Sequence, residues 1–285
     1  MTIRRMCATI LLLLAGCTPL RDGPLGSGTA ATDVPDTPDA DVSSTPDRPP
    51  SSDGSADDDT RPASDVCPEG MVRIAAATFQ MGSNGLQSMP VHAVRLDAYC
   101  LDRTEVTVAA YQACAGCSAP GTDASCNSGV VGRAAHPINC VTFGQAAAYC
   151  ASVGKRLPTE AQWEYAARGP DGRSYPWGSA EPTTQPCWQQ SSTCAVGTHP
   201  ASDSPFGVSD LAGDVAEWTA DWFGAYRDTG AVQDNPTGVV SGTERATRGG
   251  DWALQRPFAN GLQTTQRASF PPDTSSPRVG FRCAQ

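Results

Sequence analysis

The sequence predicts a single α+β domain of low regular secondary structure, held together by disulfides. Three observations carry this expectation. Ten cysteines fall between residues 66 and 285, an even number behind an export signal. Two helix patterns with capping boxes lie close together between Thr142 and Gly169. The remainder of that region alternates short apolar runs with Gly- and Trp-rich segments, punctuated too often for long strands or helices.

The first element is the export signal, residues 1–17. In MTIRRMCATILLLLAGC, Arg4 and Arg5 precede a short apolar run and then small residues before Cys17. That run is too short to span a bilayer. Leu14-Ala15-Gly16-Cys17 resembles the bacterial lipoprotein box, which implies that Cys17 is lipidated and becomes the N-terminus after cleavage. Each buried methylene of an acyl chain adds about 0.8 kcal/mol of membrane affinity. The first expected partner is therefore the membrane, and the expected location is the cell envelope, lipid-anchored at a periplasmic or surface face.

Residues 18–65 come next, with eleven Asp, three Arg, eight Pro and no aromatic residue. Such a stretch cannot bury enough apolar surface to offset the entropy of ordering it, and its prolines and like charges favour extension. It reads as a disordered acidic linker. The whole chain carries a formal charge of −10, most of it in this linker, while residues 66–285 hold 15 basic and 19 acidic side chains. No basic stripe exists to neutralise phosphates, so nucleic-acid binding is excluded.

From Val66 the folded domain begins. MVRIAAATFQMGS reads as a strand entering a turn at Gly82-Ser83, and VHAVRLDAYCLDRTEVT continues as short strands. Val91, Ala93 or Val94, Leu96 and Tyr99 are its expected inward positions. TFGQAAAYCASVGK predicts a helix with Thr142 as N-cap and Gln145 as its capping-box partner, burying Ala146, Tyr149, Cys150 and Val153 before Gly154. PTEAQWEYAARG repeats the device with Thr159 and Gln162, adds a Glu164 to Arg168 pair, and stops at Gly169. Trp163 and Trp218 are expected in the core. Cys114-x-x-Cys117 has no second CxxC or paired histidines to complete a zinc site, and spacing leaves the disulfide connectivity open.

FQMGS, GKRLPTEAQWEYAARG, YPWG, DLAGDVAEWTADWF, RGGDW and RVGFRCA occur in that order. Together they resemble the sulfatase-modifying-factor family, whose founding members are formylglycine-generating enzymes, over about residues 70–285. The resemblance implies a compact C-type-lectin-like α+β fold, structural calcium, and oxidation of a cysteine in a Cys-x-Pro-x-Arg sequence by oxygen and copper. Copper there is held by two cysteines after the Gly-Gly pair. The matching positions here are Leu254 and Ala259, which cannot ligate Cu(I), and residues 249–270 contain neither Cys nor His. Ala216 and Phe258 stand where a Trp and a Tyr are usual.

The expected role is accordingly a binding or scaffold module without bound copper, the alternative being an oxidase of the formylglycine-generating type that converts a sulfatase cysteine to formylglycine, through a displaced thiol such as Cys140 or by different chemistry. A branch of the family uses iron on a His-rich motif, but His92, His136 and His199 lack that spacing. The resemblance places calcium on the side chains of Asp210 and Glu217 and the carbonyls of Gly213 and Val215, where oxygen donors suit a hard cation. It also gathers Trp222, Asp251, Trp252, Arg256 and Arg267 into one cleft for a peptide, protein or glycan.

Overall fold

The computed structural model describes residues 66–85 and 87–285. The predicted signal, Cys17 and the linker to residue 65 lie outside the described residues.

The first apolar stretch forms two strands rather than one. Strand β1 (Met71–Ile74) pairs antiparallel with β4 (Tyr99–Asp102), whereas β2 (Ala77–Met81) pairs antiparallel with β3 (His92–Leu96). The chain changes partner at residues 75–76 because β3 and β4 themselves part at Asp97-Ala98, so Ile74 faces Tyr99 while Ala77 faces Leu96. Val94, Leu96 and Tyr99 are buried as expected, Ala93 is half-buried, and Val91 is exposed.

After β4 comes a helix the sequence did not announce, α1 (Val108–Gln112), capped by Thr107 Oγ1 accepting from the Ala110 N–H. Helices α2 (Phe143–Ser152) and α3 (Glu160–Arg168) both carry the expected capping boxes. On α2, Ala146, Tyr149 and Cys150 are buried, but Val153 falls at the C-cap and is 46% exposed. Helix α3 is buried nearly all round, with Trp163 at its centre.

The second half builds a mixed sheet in the order β8-β7-β5-β9 from β5 (Ala216–Trp222), β7 (Arg245–Arg248), β8 (Arg267–Phe270) and β9 (Val279–Gly280). A two-residue strand, β6 (Gln233–Asp234), joins β2 and β3 through a parallel pairing with β3. Apolar packing joins these parts. Trp163 and Leu211 pack with Ile74, Val94 and Leu101, while Trp218 and Phe281 pack with Tyr149 and Ile138.

All ten cysteines of this region are bridged: Cys67–Cys100, Cys114–Cys117, Cys126–Cys140, Cys150–Cys283 and Cys187–Cys194. The result is a single compact α+β domain with few helices and small mixed sheets, stapled where ladders are short.

Candidate functional site

The turn after β7 is fixed from both sides. Gly249 O accepts from the Gly213 N–H at 2.9 Å, and Asp214 O accepts from the Trp252 N–H at 2.9 Å. Gly250 has a φ of 72°, and a Cβ there would lie 2.6 Å from Leu254 Cδ1 and 2.8 Å from Gly261 O. Only glycine satisfies both conditions. Leu254 therefore rests directly on the backbone of Gly250 and Gly261.

The residues after that turn build an apolar pad. Leu254 and Ala259 pack against buried Tyr175, Trp188, Ala212 and Leu262, with half-buried Trp177 alongside. Trp177 stacks on Tyr175 with centroids 5.0 Å apart and planes 6° apart. Phe258 projects outward and is 65% exposed.

No described thiol is free, since all ten described cysteines are bridged. The expectation that Cys140 could serve as a displaced thiol is corrected: it is fully buried and bonded to Cys126. The histidines are engaged separately. His92 packs on Tyr226, His136 Nδ1 lies 2.9 Å from Thr193 Oγ1, and His199 Nδ1 lies 3.2 Å from Thr198 Oγ1.

The second locale is the turn leading into β5. Asp210 and Asp214 both have positive φ, at 61° and 54°. Asp210 Oδ2 accepts from the Gly197 N–H, and Asp214 Oδ1 accepts from the Cys194 N–H. Glu217 accepts from Arg282 through both oxygens, and its Oε2 also accepts from Trp163 Nε1 at 2.8 Å. Oε1 thus receives a single hydrogen bond and retains a lone-pair site.

Glu105, not singled out from the sequence, completes this acidic group. Both of its oxygens and Asp214 Oδ2 are buried without a hydrogen-bond partner. Burial pushes the Glu105 carboxyl well up, reinforced by Asp210 and Asp214. Burial likewise raises Asp214, with Asp210 adding to it, and raises Asp210.

Unpaired carboxylate oxygens in a low-dielectric interior are costly, and a hard cation would relieve them. The orphaned oxygens of Glu105 and Asp214, beside the expected ligands Asp210 and Glu217, would suit such an ion. Among the described residues, no three His, Cys, Asp or Glu side chains converge on one point. A cation here would have to draw part of its shell from carbonyl oxygens.

Of the five residues expected in one cleft, two share a cavity and three lie at the Gly-Gly turn. Trp222 and Arg267 line a cavity at the end of β5. Asp251, Trp252 and Arg256 stay with the Gly-Gly turn: Asp251 Oδ1 accepts from the Ala253 N–H, Trp252 Nε1 donates to Pro277 O, and Arg256 Nη2 donates to Pro182 O. Burial raises the Asp251 carboxyl. Arg267 is buried and bound to Glu160 by Nε and Nη2, so its charge is already matched.

These features define a disulfide-stapled α+β domain organised around a Gly-Gly turn and an acidic turn before β5. The profile of the Sulfatase-modifying factor enzyme 1-like domain matches residues 57–285, and the chain belongs to this family. The formylglycine-generating enzyme of Thermomonospora curvata is 30% identical over 285 aligned residues, covering 76% of this chain and 93% of that protein.

The mouse formylglycine-generating enzyme is 34% identical over 175 residues, 55% of this chain and 46% of that one. The Bos taurus protein named inactive C-alpha-formylglycine-generating enzyme 2 is 35% identical over 172 residues, 55% of this chain and 52% of that one. Against mammalian relatives the match thus spans about half their length. Among solved structures, Treponema denticola variable protein 1 superposes with a TM-score of 0.64 at 26% identity, covering 75% of this chain and 94% of that one.

Proposed function

We propose that this domain is a lipid-anchored, extracytoplasmic binding or scaffold module on the formylglycine-generating-enzyme fold, without the copper-dependent oxidase chemistry. One observation supports the reading: Leu254 and Ala259, which the resemblance matches to the family's copper thiols, form an apolar pad with Leu262 and Trp188. A soft cuprous ion needs thiolate donors. Neither side chain can supply one, and the domain's cysteines are joined as disulfides. The bovine relative named as inactive is consistent with loss of the chemistry within this family.

Calcium belongs to the proposal as a structural ion. Asp210, Glu217 and the carbonyls of Gly213 and Val215 would hold it, and it would supply positive charge among buried carboxylates. The cleft side of the reading rests on the pad and its rim, where Phe258, Trp252 and Arg256 offer apolar and hydrogen-bonding surface to a peptide, protein or glycan. Cys17 would tether the module through its linker to the envelope membrane.

The decisive experiment exports the protein under oxidising conditions, loads it with copper and calcium, and offers a Cys-x-Pro-x-Arg peptide. The peptide mass stays unchanged on this reading. Its conversion to the formylglycine aldehyde would overturn it.

A further inference from the structure

A cavity of about 590 Å³ opens at the end of β5, between the start of α3, strands β2 and β3, and the loop through residues 223–241. No described residue of the 249–262 segment lines it. The site is therefore distinct from the pad formed by Leu254 and Ala259.

Asp221 forms the floor and is 3% exposed. Its Oδ2 accepts from the Glu160 N–H at 2.9 Å, where α3 begins. Among the described residues its Oδ1 accepts no hydrogen bond, and the atom retains some exposure to the cavity. That oxygen is kept accessible by Gly238, at whose position a Cβ would lie 2.9 Å away. Gly238 has a φ of 72°, so glycine is favoured there by backbone and by space alike.

The buried charges facing this floor are already committed, and the exposed Arg227, which also lines the cavity, makes no ion pair among the described residues. Glu160 is held by Arg267, whose Nη1 donates to Gln87 O and Gly224 O and whose guanidinium lies 3.9 Å from the Tyr226 ring centre and 4.5 Å from that of Phe223. On β7, Arg248 pairs with Glu164. Arg245 lies 3.5 Å from the Trp222 ring centre and donates to Ala220 O, and Arg156 donates to Gln162 Oε1 and Leu157 O. From β3, His92 engages Pro90 O through Nδ1. Among the described residues Asp221 makes no ion pair. Burial, with Glu160 as a like-charged neighbour, pushes its carboxyl up to about 7.

We propose that this cavity binds an alkylammonium group, the side chain of a lysine on a peptide or protein partner, with the ammonium on Asp221 Oδ1 and the methylene stem along Met81, Trp222 and Val239. The single open oxygen selects the head group. A guanidinium gains most from two parallel bonds to both carboxylate oxygens, and Oδ2 already serves α3. An ammonium is a compact point charge with rotatable donors and needs one oxygen. The apolar walls suit a stem that buries its methylenes behind a charged head.

The probes are Nα-acetyl-lysine amide, n-butylamine, Nα-acetyl-arginine amide and Nα-acetyl-norleucine amide, titrated into the intact protein by calorimetry. Both amines should bind and compete with each other, the arginine compound should bind at least about tenfold more weakly, and the norleucine compound should not bind. Affinity should rise as pH increases through about 7, because binding requires Asp221 to be ionised.

Asp221→Asn keeps an acceptor for the Glu160 N–H and should lose about tenfold or more in amine affinity. Val240→Lys, on a fully exposed rim residue, places a competing ammonium at the mouth and should weaken binding without touching the core. Butylamine binding alone assigns the site to a free amine rather than a peptide lysine. Failure of both amines at millimolar concentration, or equal binding of the norleucine compound, overturns the proposal. The peptide-oxidation test of the pad is unaffected by either result.

Discussion

Glu217 and Arg282 meet as a buried bidentate pair, Nε to Oε2 and Nη2 to Oε1, both at 2.7 Å with neither side chain exposed. The pair ties β5 to the segment after β9, and Arg282 Nη2 also donates to Ser209 O. Removing the guanidinium leaves a buried carboxylate beside Glu105, Asp210 and Asp214. Arg282→Met should therefore cost about 3–5 kcal/mol of unfolding free energy. Denaturant unfolding of the exported domain checks this, and a loss within error of zero would show the pair to be redundant.

The bridges should differ in worth according to the loops they close. Cys150–Cys283 spans 133 residues and Cys114–Cys117 spans three. Loop-closure entropy gives about 5 kcal/mol for the first and about 2 kcal/mol for the second. Paired Cys→Ala replacements, compared by thermal unfolding, should show the larger loss for Cys150 and Cys283.

Asp221 makes stability depend on pH with a definite sign. Its carboxyl is raised from an ordinary 3.8 to about 7, so the folded state holds the proton more tightly than the unfolded chain. The contribution is fully present at low pH, declines as pH rises above about 4, and levels off above about 7. Glu105, Asp210 and Asp214 slope the same way through burial. The measurement is therefore the stability of wild type relative to Asp221→Asn, which should fall steadily across that window.

Chelation tests the acidic turn. A ligand that binds only the folded state stabilises by mass action, about 2.7 kcal/mol at a hundredfold excess over Kd. EGTA should lower Tm, added calcium should restore it, and Asp210→Ala should abolish the response. An unchanged Tm together with no calcium in elemental analysis would remove the ion from the proposed assembly.

Lipidation is tested at Cys17. In the bacterial host, wild type should incorporate labelled palmitate and sediment with membranes, and Cys17→Ser should do neither. Equal labelling of the variant would exclude this cysteine as the acylated one.

The parts legible from the sequence are those fixed by local chemistry. Thr142 with Gln145 and Thr159 with Gln162 marked both main helices because a capping box needs only residues three apart. Trp163 and Trp218 were recognisable as core because large aromatics gain most from burial. Helix α1 was not legible, since a five-residue helix has little periodicity to detect.

Long-range pairings were hidden for a different reason. Nothing near Glu105 in DRTEVT reveals that it will be buried against Asp210, a residue remote in sequence. Asp221 could be read only as part of a Trp-rich run, because its open oxygen depends on Gly238 and on the start of α3. Resemblance put Trp222 beside Trp252, but β5 carries Trp222 to a cavity that Trp252 does not line.

The staples also govern how this domain would respond to pulling. Between Cys67 and Cys283, most of the polypeptide lies inside loops closed by Cys67–Cys100, Cys126–Cys140 and Cys150–Cys283. Tension applied across those ends would run through sulfur–sulfur bonds and bypass the enclosed strands. Even after mechanical rupture of the core, little slack could be paid out while the bridges remain intact.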